Sequence, residues 1–347
     1  MKRRPAGPVA DRGPLWTARR CGLIRHASNL ALAGALLFAT RLVLACATCG
    51  CTLSYDGAMG YSSSTGWRIN VEYDFINQDQ LRSGTSAVST VPNGTELEHQ
   101  TINRYLSVGV SYSPNADWNG FLWVPYVMRS HTTYGTFDSS EPLPPLSGSN
   151  SSSLGDVKLI GTYRGILSSH NLGIQLGVKL PTGAYYDSVK FSTGPMAGEP
   201  LDASLQPGTG STDMIVGAYY YQPVSKNWDI YANGSYQAAV AEKLDQPGND
   251  YRPGNLVTVS FGVRYQADPT WVPQLQVNLS RKMADQGALA DTADTAGTVA
   301  YLSPGLSINL SHSMQLYGFV QLPVYSNLSG YQLFPHWTAS VGASYSF

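Results

Sequence analysis

Apolar and polar residues alternate with a period of two along most of the chain after residue 65. Near the start of this region, Trp67, Ile69 and Val71 share one face while Arg68 and Asn70 share the other. Successive side chains of a β-strand point to opposite faces, so this period indicates strands. The pattern predicts strands near residues 66–76, 101–112, 118–130, 154–167, 171–181, 211–222, 227–239, 256–266, 271–283, 297–309, 314–324 and 336–347.

The lengths of these strands and of their connections indicate a membrane barrel. Strands of soluble proteins average about 5–6 residues, whereas about 9–11 residues cross a bilayer when tilted. Most of the predicted strands are long enough to cross. Short links alternate with long ones, as expected for periplasmic turns and extracellular loops. The sequence therefore predicts an all-β, transmembrane, antiparallel up-and-down barrel of about 12 strands in the cell outer membrane, with both termini in the periplasm. The short links are 113–117, 168–170, 223–226, 267–270 and 310–313, and the long links are 77–100, 131–153, 182–210, 240–255, 284–296 and 325–335.

Aromatic residues at the strand ends support this prediction. Trp67, Trp118, Trp228 and Trp271 lie at predicted periplasmic strand ends, where an aromatic girdle meets the membrane interface. The chain ends on Phe347, which resembles the signal read by the barrel-assembly machinery, so that machinery is a predicted partner together with outer-membrane lipid. Pairing of the last strand with the first would remove both open sheet edges.

The N-terminus is typical of an export signal. A basic leader precedes an apolar stretch that closes in small residues, which predicts a signal peptide over 1–45 with cleavage near Ala45 or Ala47. A loose lipobox at 43–46 would instead acylate Cys46. A periplasmic segment, 46–65, then precedes the barrel, 66–347. Without the leader the chain has 14 basic and 22 acidic residues, a formal charge of −8, which argues against nucleic-acid binding.

Three cysteines lie in the predicted periplasmic segment. Cys46, Cys49 and Cys51 fall within six residues, and the pattern for covalent haem attachment is absent. Such thiols can bind a soft ion such as Cu or Zn, or form a redox-active disulfide in an oxidising compartment. The simpler interpretation is a plain disulfide between two of them, or a lipidated Cys46 beside the remaining pair. Apart from this cluster, no cofactor is expected.

The sequence predicts that the protein is not an enzyme. A barrel phospholipase would need a Ser and a His within a strand and a further polar residue to orient them. The predicted strands place every mature histidine in or beside a turn or loop. These residues are His99, His131, His170, His312 and His336.

Charged and amide residues within the strands are candidates for the lumen. They carry both signs of charge, which does not favour strong selection for anions or cations. Loops 131–153 and 182–210 can constrict the pore or simply lie on the surface. The lumen-facing candidates are Arg68, Glu72, Asp74, Arg104, Lys158, Arg164, Lys179, Arg264 and Gln276.

Three short motifs occur in order along the chain: LGDVKL at 154–159, LGVKLPTG at 176–183 and QPGTGS at 206–211. Together they resemble the outer-membrane transporter family named for the meta-pathway of phenol degradation. The resemblance covers about residues 66–347 and implies a barrel that admits small, often aromatic, compounds. From the residues themselves, Gly177 and Gly183 suit a bend and a turn, and Gly208 suits a loop end.

The sequence thus favours a porin-like outer-membrane channel for passive passage of small solutes, aromatic or hydrophobic compounds among them. Two alternatives stay open. One is a barrel-anchored module that binds metal or exchanges electrons through the cysteines. The other is a plugged barrel with a structural or adhesive role.

Overall fold

The computed structural model describes residues 65–347, which form one closed antiparallel sheet and a two-stranded hairpin. No helix in this part of the chain is long and apolar enough to cross a membrane. One turn of 3-10 helix occurs at Ala203–Leu205. The predicted all-β barrel is confirmed. The strands are β1 (Gly66–Gly84), β2 (Ser86–Ala87), β3 (Glu96–Ser113), β4 (Trp118–Thr136), β5 (Ser147–Leu154), β6 (Val157–Tyr163), β7 (Leu172–Leu180), β8 (Ser211–Pro223), β9 (Trp228–Glu242), β10 (Asp245–Gln246), β11 (Asn249–Asp250), β12 (Leu256–Tyr265), β13 (Trp271–Lys282), β14 (Gly297–Asn309) and β15 (Met314–Ser346).

The barrel closes between its last strand and its first. The first half of β15 pairs with β14, and its second half pairs with β1 from Arg68–Ser346 to Gly84–Leu328. The two halves also lie side by side, because the Ser346 amide donates to the Ser313 carbonyl at 2.8 Å. β15 therefore occupies two neighbouring positions of the barrel, where the sequence predicted two strands joined by a long loop.

Several strands continue beyond the predicted ends on the side of the long loops. β1 runs eight residues past residue 76, and β3 begins at Glu96 rather than near 101. In these extensions both faces carry polar residues, so the alternation disappears although the backbone ladder continues. The short turns stay at one end of the barrel and the long loops at the other, here called the short-turn end and the long-loop end.

The fourth position of the barrel contains a break that the sequence pattern does not predict. The predicted strand 154–167 is replaced by β5 and β6, which both pair with β4 and are separated by Gly155 and Asp156. β6 also pairs with β7. The free edge of β5 is bridged at Gly148 by Thr193, which lies in the loop between β7 and β8. The break is the point at which that loop joins the wall.

The apolar residues of the alternating pattern lie on the outer face of the barrel. At the short-turn end, aromatic rings of neighbouring strands pair, with Trp67 and Tyr112 centroids 4.5 Å apart and Trp118 and Tyr163 centroids 4.7 Å apart. Such a surface suits contact with lipid and its interface. Exposed apolar side chains on this face include Ile69, Val71, Leu106, Val108, Leu176, Val216, Phe261, Leu275, Val277 and Val341.

Inward-facing aromatic rings lie flat over glycines of adjacent strand segments. Tyr219 of β8 pairs in register with Gly173 of β7, and Phe319 of β15 pairs with Gly305 of β14. A Cβ at either glycine would overlap the facing ring. Tyr231 lies over Gly262, and Tyr317 over Gly342, in the same way. All four rings are buried.

Candidate functional site

The inward face of the barrel is the candidate site, and the structure places eight of the nine predicted lumen residues on it. The inward orientation of Lys158 follows from the strand register, because Lys158 pairs with Trp123 of β4 and with the inward, buried Lys179 of β7. What these side chains do for a solute remains a prediction. The eight are Arg68, Glu72, Asp74, Lys158, Arg164, Lys179, Arg264 and Gln276.

The prediction that Arg104 faces the lumen is wrong. In β3 the inward positions are Asn103 and Tyr105, whereas Arg104 pairs with the outward Phe75 of β1. Its guanidinium carbon lies 5.8 Å from the centre of the Phe75 ring. Its charge suggested the lumen, but alternation along a strand fixes the face of every side chain and takes precedence.

A buried ion-pair network holds the wall at the break between β5 and β6. Lys179 Nζ lies 3.2 Å from the Asp156 carboxylate and 3.0 Å from that of Asp213, and all three side chains are at most 7% exposed. The same ammonium donates to Thr209 Oγ1 and, at 3.0 Å, to Ser211 Oγ. One cation therefore joins residues from all three sequence motifs.

The β7–β8 loop, residues 181–210, has both of its ends fixed by Asp156. Asp156 Oδ1 accepts the Gly183 amide at 3.1 Å, and its Oδ2 accepts the Thr209 amide at 2.9 Å. Three glycines permit this approach, because a Cβ at Gly183 would lie 2.8 Å from Gly208 Cα and 3.0 Å from Gly155 Cα. The motif glycines thus serve close packing of three backbone segments.

The same loop contacts the inner wall of the barrel. Arg129, an inward residue of β4, donates to Asn103 Oδ1 at 2.5 Å and to the Leu205 carbonyl in the loop. Phe191 of the loop lies with its ring centre 6.0 Å from that of the buried His131. Of the two predictions for this loop, the structure favours a constriction over a surface loop.

The sequence pattern does not single out Arg129 and predicts a loop at His131, although both residues lie within β4. The inward face of β4 also carries Phe121, Trp123 and Val127, so both faces of this strand are partly apolar. Alternation in β4 alone therefore does not reveal which face is inward. Its register with β3, through Asn103 opposite Arg129, does reveal it.

Five carboxylates meet at the long-loop end. They come from β3, the β7–β8 loop and loop 283–296, and they line a cavity of about 30 Å³. Both β3 carboxylates lie at least fifteen residues from the short-turn end of that strand, beyond the 9–11 residues that cross a bilayer. The five are Glu96, Glu98, Asp202, Asp291 and Asp294.

Crowding changes the acidity of this cluster. Burial, reinforced by the charges of Glu96 and Asp291, raises the pKa of Asp202 to about 7. Burial also raises the pKa of Asp294 to about 6, with smaller contributions from Asp291 and Glu96. The pKa of Glu98 lies well above its ordinary value, chiefly because the group is buried.

These pKa shifts predict that the packing of the β7–β8 loop at the long-loop end becomes less stable as pH rises. A carboxyl whose pKa is higher in the packed state stabilises that state below its ordinary pKa, near 4, and this stabilisation is lost as pH rises through about 6 to 7. We expect amide hydrogen exchange in the β7–β8 loop to be at least about tenfold faster at pH 8 than at pH 5, after correction for intrinsic rates. Asp202→Asn should reduce this dependence, and Asp245→Asn, a control at an exposed residue of β10, should not. Equal corrected rates at both pH values in the natural protein would contradict the prediction.

The predicted metal and redox residues Cys46, Cys49 and Cys51 lie outside the described residues, as do the predicted signal peptide and its cleavage site. Within residues 65–347, no three His, Cys, Asp or Glu side chains are arranged to hold a metal ion. The role of the cysteines remains a prediction.

Comparison with known proteins gives one family and a set of barrel structures. The family model described as "Putative MetA-pathway of phenol degradation" matches residues 86–329. The structure is similar to the COG4313 outer membrane channel from Pseudomonas putida F1, with a TM-score of 0.57 and 13% identity over 82% of this chain and 96% of that one. It is more loosely similar to the toluene transporter TbuX from Ralstonia pickettii, with a TM-score of 0.42 and 10% identity over 83% and 91% of the chains. No curated protein matches the sequence. The first structural likeness supports the fold of an outer-membrane barrel.

Proposed function

The chain belongs to the family described as "Putative MetA-pathway of phenol degradation", and from this premise we propose that it is a passive outer-membrane channel for small hydrophobic solutes, aromatic compounds among them. The observation that carries the proposal is the loop built by the family motifs. The three motifs converge on Lys179 and Asp156, and there they hold the β7–β8 loop against the inward residues of β4. The residues of the three motifs thus hold this loop against the inner wall of the barrel.

The lumen wall is suited to apolar solutes that can also make weak contacts with aromatic and polar groups. Buried aromatic rings such as those of Tyr219 and Phe319 lie on the inward face together with amides and hydroxyls such as those of Gln276 and Ser303. A solute can exchange weak contacts along this wall, and weak, repeated contacts allow passage without tight binding. The COG4313 structure, described as an outer membrane channel, supports the same assignment at the level of fold.

The proposal includes an orientation. The short-turn end, with Trp67 and Phe347 joined by two backbone hydrogen bonds of 3.0 and 2.9 Å, faces the periplasm, and the long-loop end faces outward. Both ends of the barrel chain then lie in the periplasm, where the strand ending at Phe347 would meet the barrel-assembly machinery. The asymmetry of short turns and long loops supports this orientation.

Uptake of toluene by intact Gram-negative cells tests the proposed function. Cells that carry the protein, in a strain without hydrocarbon channels of its own, should take up micromolar toluene several-fold faster than cells with the empty vector. Because passage is passive, an uncoupler should leave the initial rate unchanged. The variant Glu141→Gln, in an exposed loop, serves as the expression-matched control. Equal uptake with and without the protein would overturn the proposal, and loss of uptake with the uncoupler would overturn its passive character.

A further inference from the structure

Arg104 places a positive charge on the outer face of the barrel, where apolar residues predominate. Its guanidinium carbon lies 5.8 Å from the centre of the Phe75 ring of β1, and that ring lies 5.7 Å from the ring of Trp337 of β15. The three residues come from adjacent strand segments, because Phe75 pairs with Arg104 on one side and with Ala339 on the other. Arg104, Phe75 and Trp337 therefore form one continuous surface, here called the Arg104 patch.

The Arg104 patch lies at the edge of the membrane-spanning part of the wall that is farther from the short turns. Phe75 is eight residues from Trp67 along β1, and Arg104 is eight residues from Tyr112 along β3. Eight residues of a strand tilted by about 35–45° rise about 20 Å along the membrane normal. The apolar band of such barrels is about 25 Å tall, so the long side chain of Arg104 can reach its edge. At that height the barrel meets the lipid headgroups of the leaflet on the long-loop side.

The guanidinium of Arg104 has unused hydrogen-bond donors. Among the residues that the structure describes, it forms neither an ion pair nor a hydrogen bond, and it contacts the ring of Phe75. A guanidinium carries five N–H donors and stays charged under all physiological conditions. An anion at the membrane interface would use these donors and compensate the charge.

The outer face of β1 offers little competition for this cation. It carries one carboxylate, Asp79, four residues beyond Phe75 and thus about 13 Å farther along the strand. Asp79 accepts a hydrogen bond from Asn77 Nδ2 at 2.9 Å and lies 3.7 Å from His336 Nε2. On the other side of the patch, toward the short turns, the outward residues Leu106, Val108 and Val341 are apolar and exposed. An amphiphile with an anionic head at Arg104 would therefore find an apolar surface for its tails.

We propose that the Arg104 patch binds the phosphate of a lipid in the leaflet on the long-loop side. The guanidinium donates two parallel N–H bonds to the phosphate oxygens at about 2.7–2.9 Å, a geometry that lysine does not offer. Trp337 carries an indole N–H donor of the kind enriched at membrane interfaces, and the acyl chains cover Leu106 and Val341. Because Phe75 belongs to β1 and Trp337 to β15, the bound lipid lies across the closure of the barrel. This proposal does not depend on which solute passes through the lumen, so its failure would leave the proposed function standing.

Native mass spectrometry of the purified full-length protein in detergent tests the site, because it counts the lipids bound to each copy of the chain. The probe is dioleoyl phosphatidic acid, and dioleoylglycerol is its counterpart without phosphate. Arg104→Gln should need at least about fivefold more phosphatidic acid than the natural protein to carry one lipid, since hydrogen bonds between charged groups are the strong ones. Arg104→Lys should lie between the two. Dioleoylglycerol should bind weakly and equally to all three proteins.

Lys243→Gln is the matched control. Lys243 Nζ also lies near an aromatic ring, 4.7 Å from the centre of Tyr185, but it follows the last residue of β9 and lies beyond the part of that strand that crosses the membrane. This variant should bind phosphatidic acid as the natural protein does. Heat-modifiable migration on a gel shows that each variant is a folded barrel, and Arg104→Lys replaces Arg104→Gln in the comparison if the latter is not.

Four results would overturn the site. The first is equal affinity of the natural protein and Arg104→Gln for phosphatidic acid, and the second is an equal loss of affinity in Lys243→Gln, which would reveal general attraction between charges. The third is competition by inorganic phosphate at the concentrations at which phosphatidic acid binds, because the ligand would then be the free anion. The fourth is a dimer that Arg104→Gln abolishes, because a second copy of the chain would then cover the patch.

Discussion

Replacing Lys179 with Met is expected to lower the free energy of unfolding of the barrel by about 3–5 kcal/mol. The substitution leaves the carboxylates of Asp156 and Asp213 buried without their shared cation, at side-chain exposures of 7% and 4%. Removing one partner of a buried pair is costly because the remaining charge keeps its desolvation penalty. Urea unfolding of the protein in lipid vesicles, followed by tryptophan fluorescence, measures the change.

The matched control is Lys190→Met. Lys190 forms an ion pair of 2.9 Å with Asp187, but the two side chains are 47% and 50% exposed. Exposed pairs contribute about 0–1 kcal/mol, so this variant should unfold almost as the natural protein does. A similar loss in both variants would show that the position of Lys179 has no special importance.

Gly208→Ala is expected to release the β7–β8 loop from the wall and to destabilise the barrel by about 1–3 kcal/mol. A Cβ at this position would lie 2.7 Å from the Gly183 carbonyl carbon and 2.8 Å from Asp156 Oδ1. The backbone at Gly208 needs no left-handed conformation, so the effect comes from the added methyl group alone. Limited proteolysis should cut the loop of the variant faster, and single-channel current should rise.

Gly120→Ala is the control for this substitution, because a Cβ there meets nothing within 4 Å. It should leave both loop cleavage and current unchanged. If Gly208→Ala behaves like Gly120→Ala, the three motif glycines are not needed for the close packing described above.

The barrel could be predicted from the sequence because alternation is a local property of each strand. The phase of Trp67, Ile69 and Val71 gave the outer face of β1, and the alternation of short and long links gave the order of the hairpins. Strand ends were predicted less well. Beyond residue 76 the polar residues Asn77, Gln78 and their neighbours occupy both faces of β1, so only the backbone hydrogen bonds reveal that the strand continues.

The interior of the site could not be predicted in the same way. The partnership of Lys179 with Asp156 and Asp213 joins three segments of the chain, and nothing local in the sequence specifies it. The inward path of the β7–β8 loop depends on Arg129, whose strand is partly apolar on both faces. Arg104 shows the opposite error, because a charge was used to choose a face that the neighbouring Tyr105 and the register with Phe75 determine.

The aromatic rings that lie over glycines have a consequence for the width of the lumen. The width available beside Phe319 is set by Gly305 on the adjoining strand rather than by Phe319 itself, because any larger residue there would swing the ring toward the axis. The same holds for Tyr317 and Gly342. A single substitution of a residue that no solute touches can therefore narrow the passage, and diameter can change among relatives while the rings that line it stay the same.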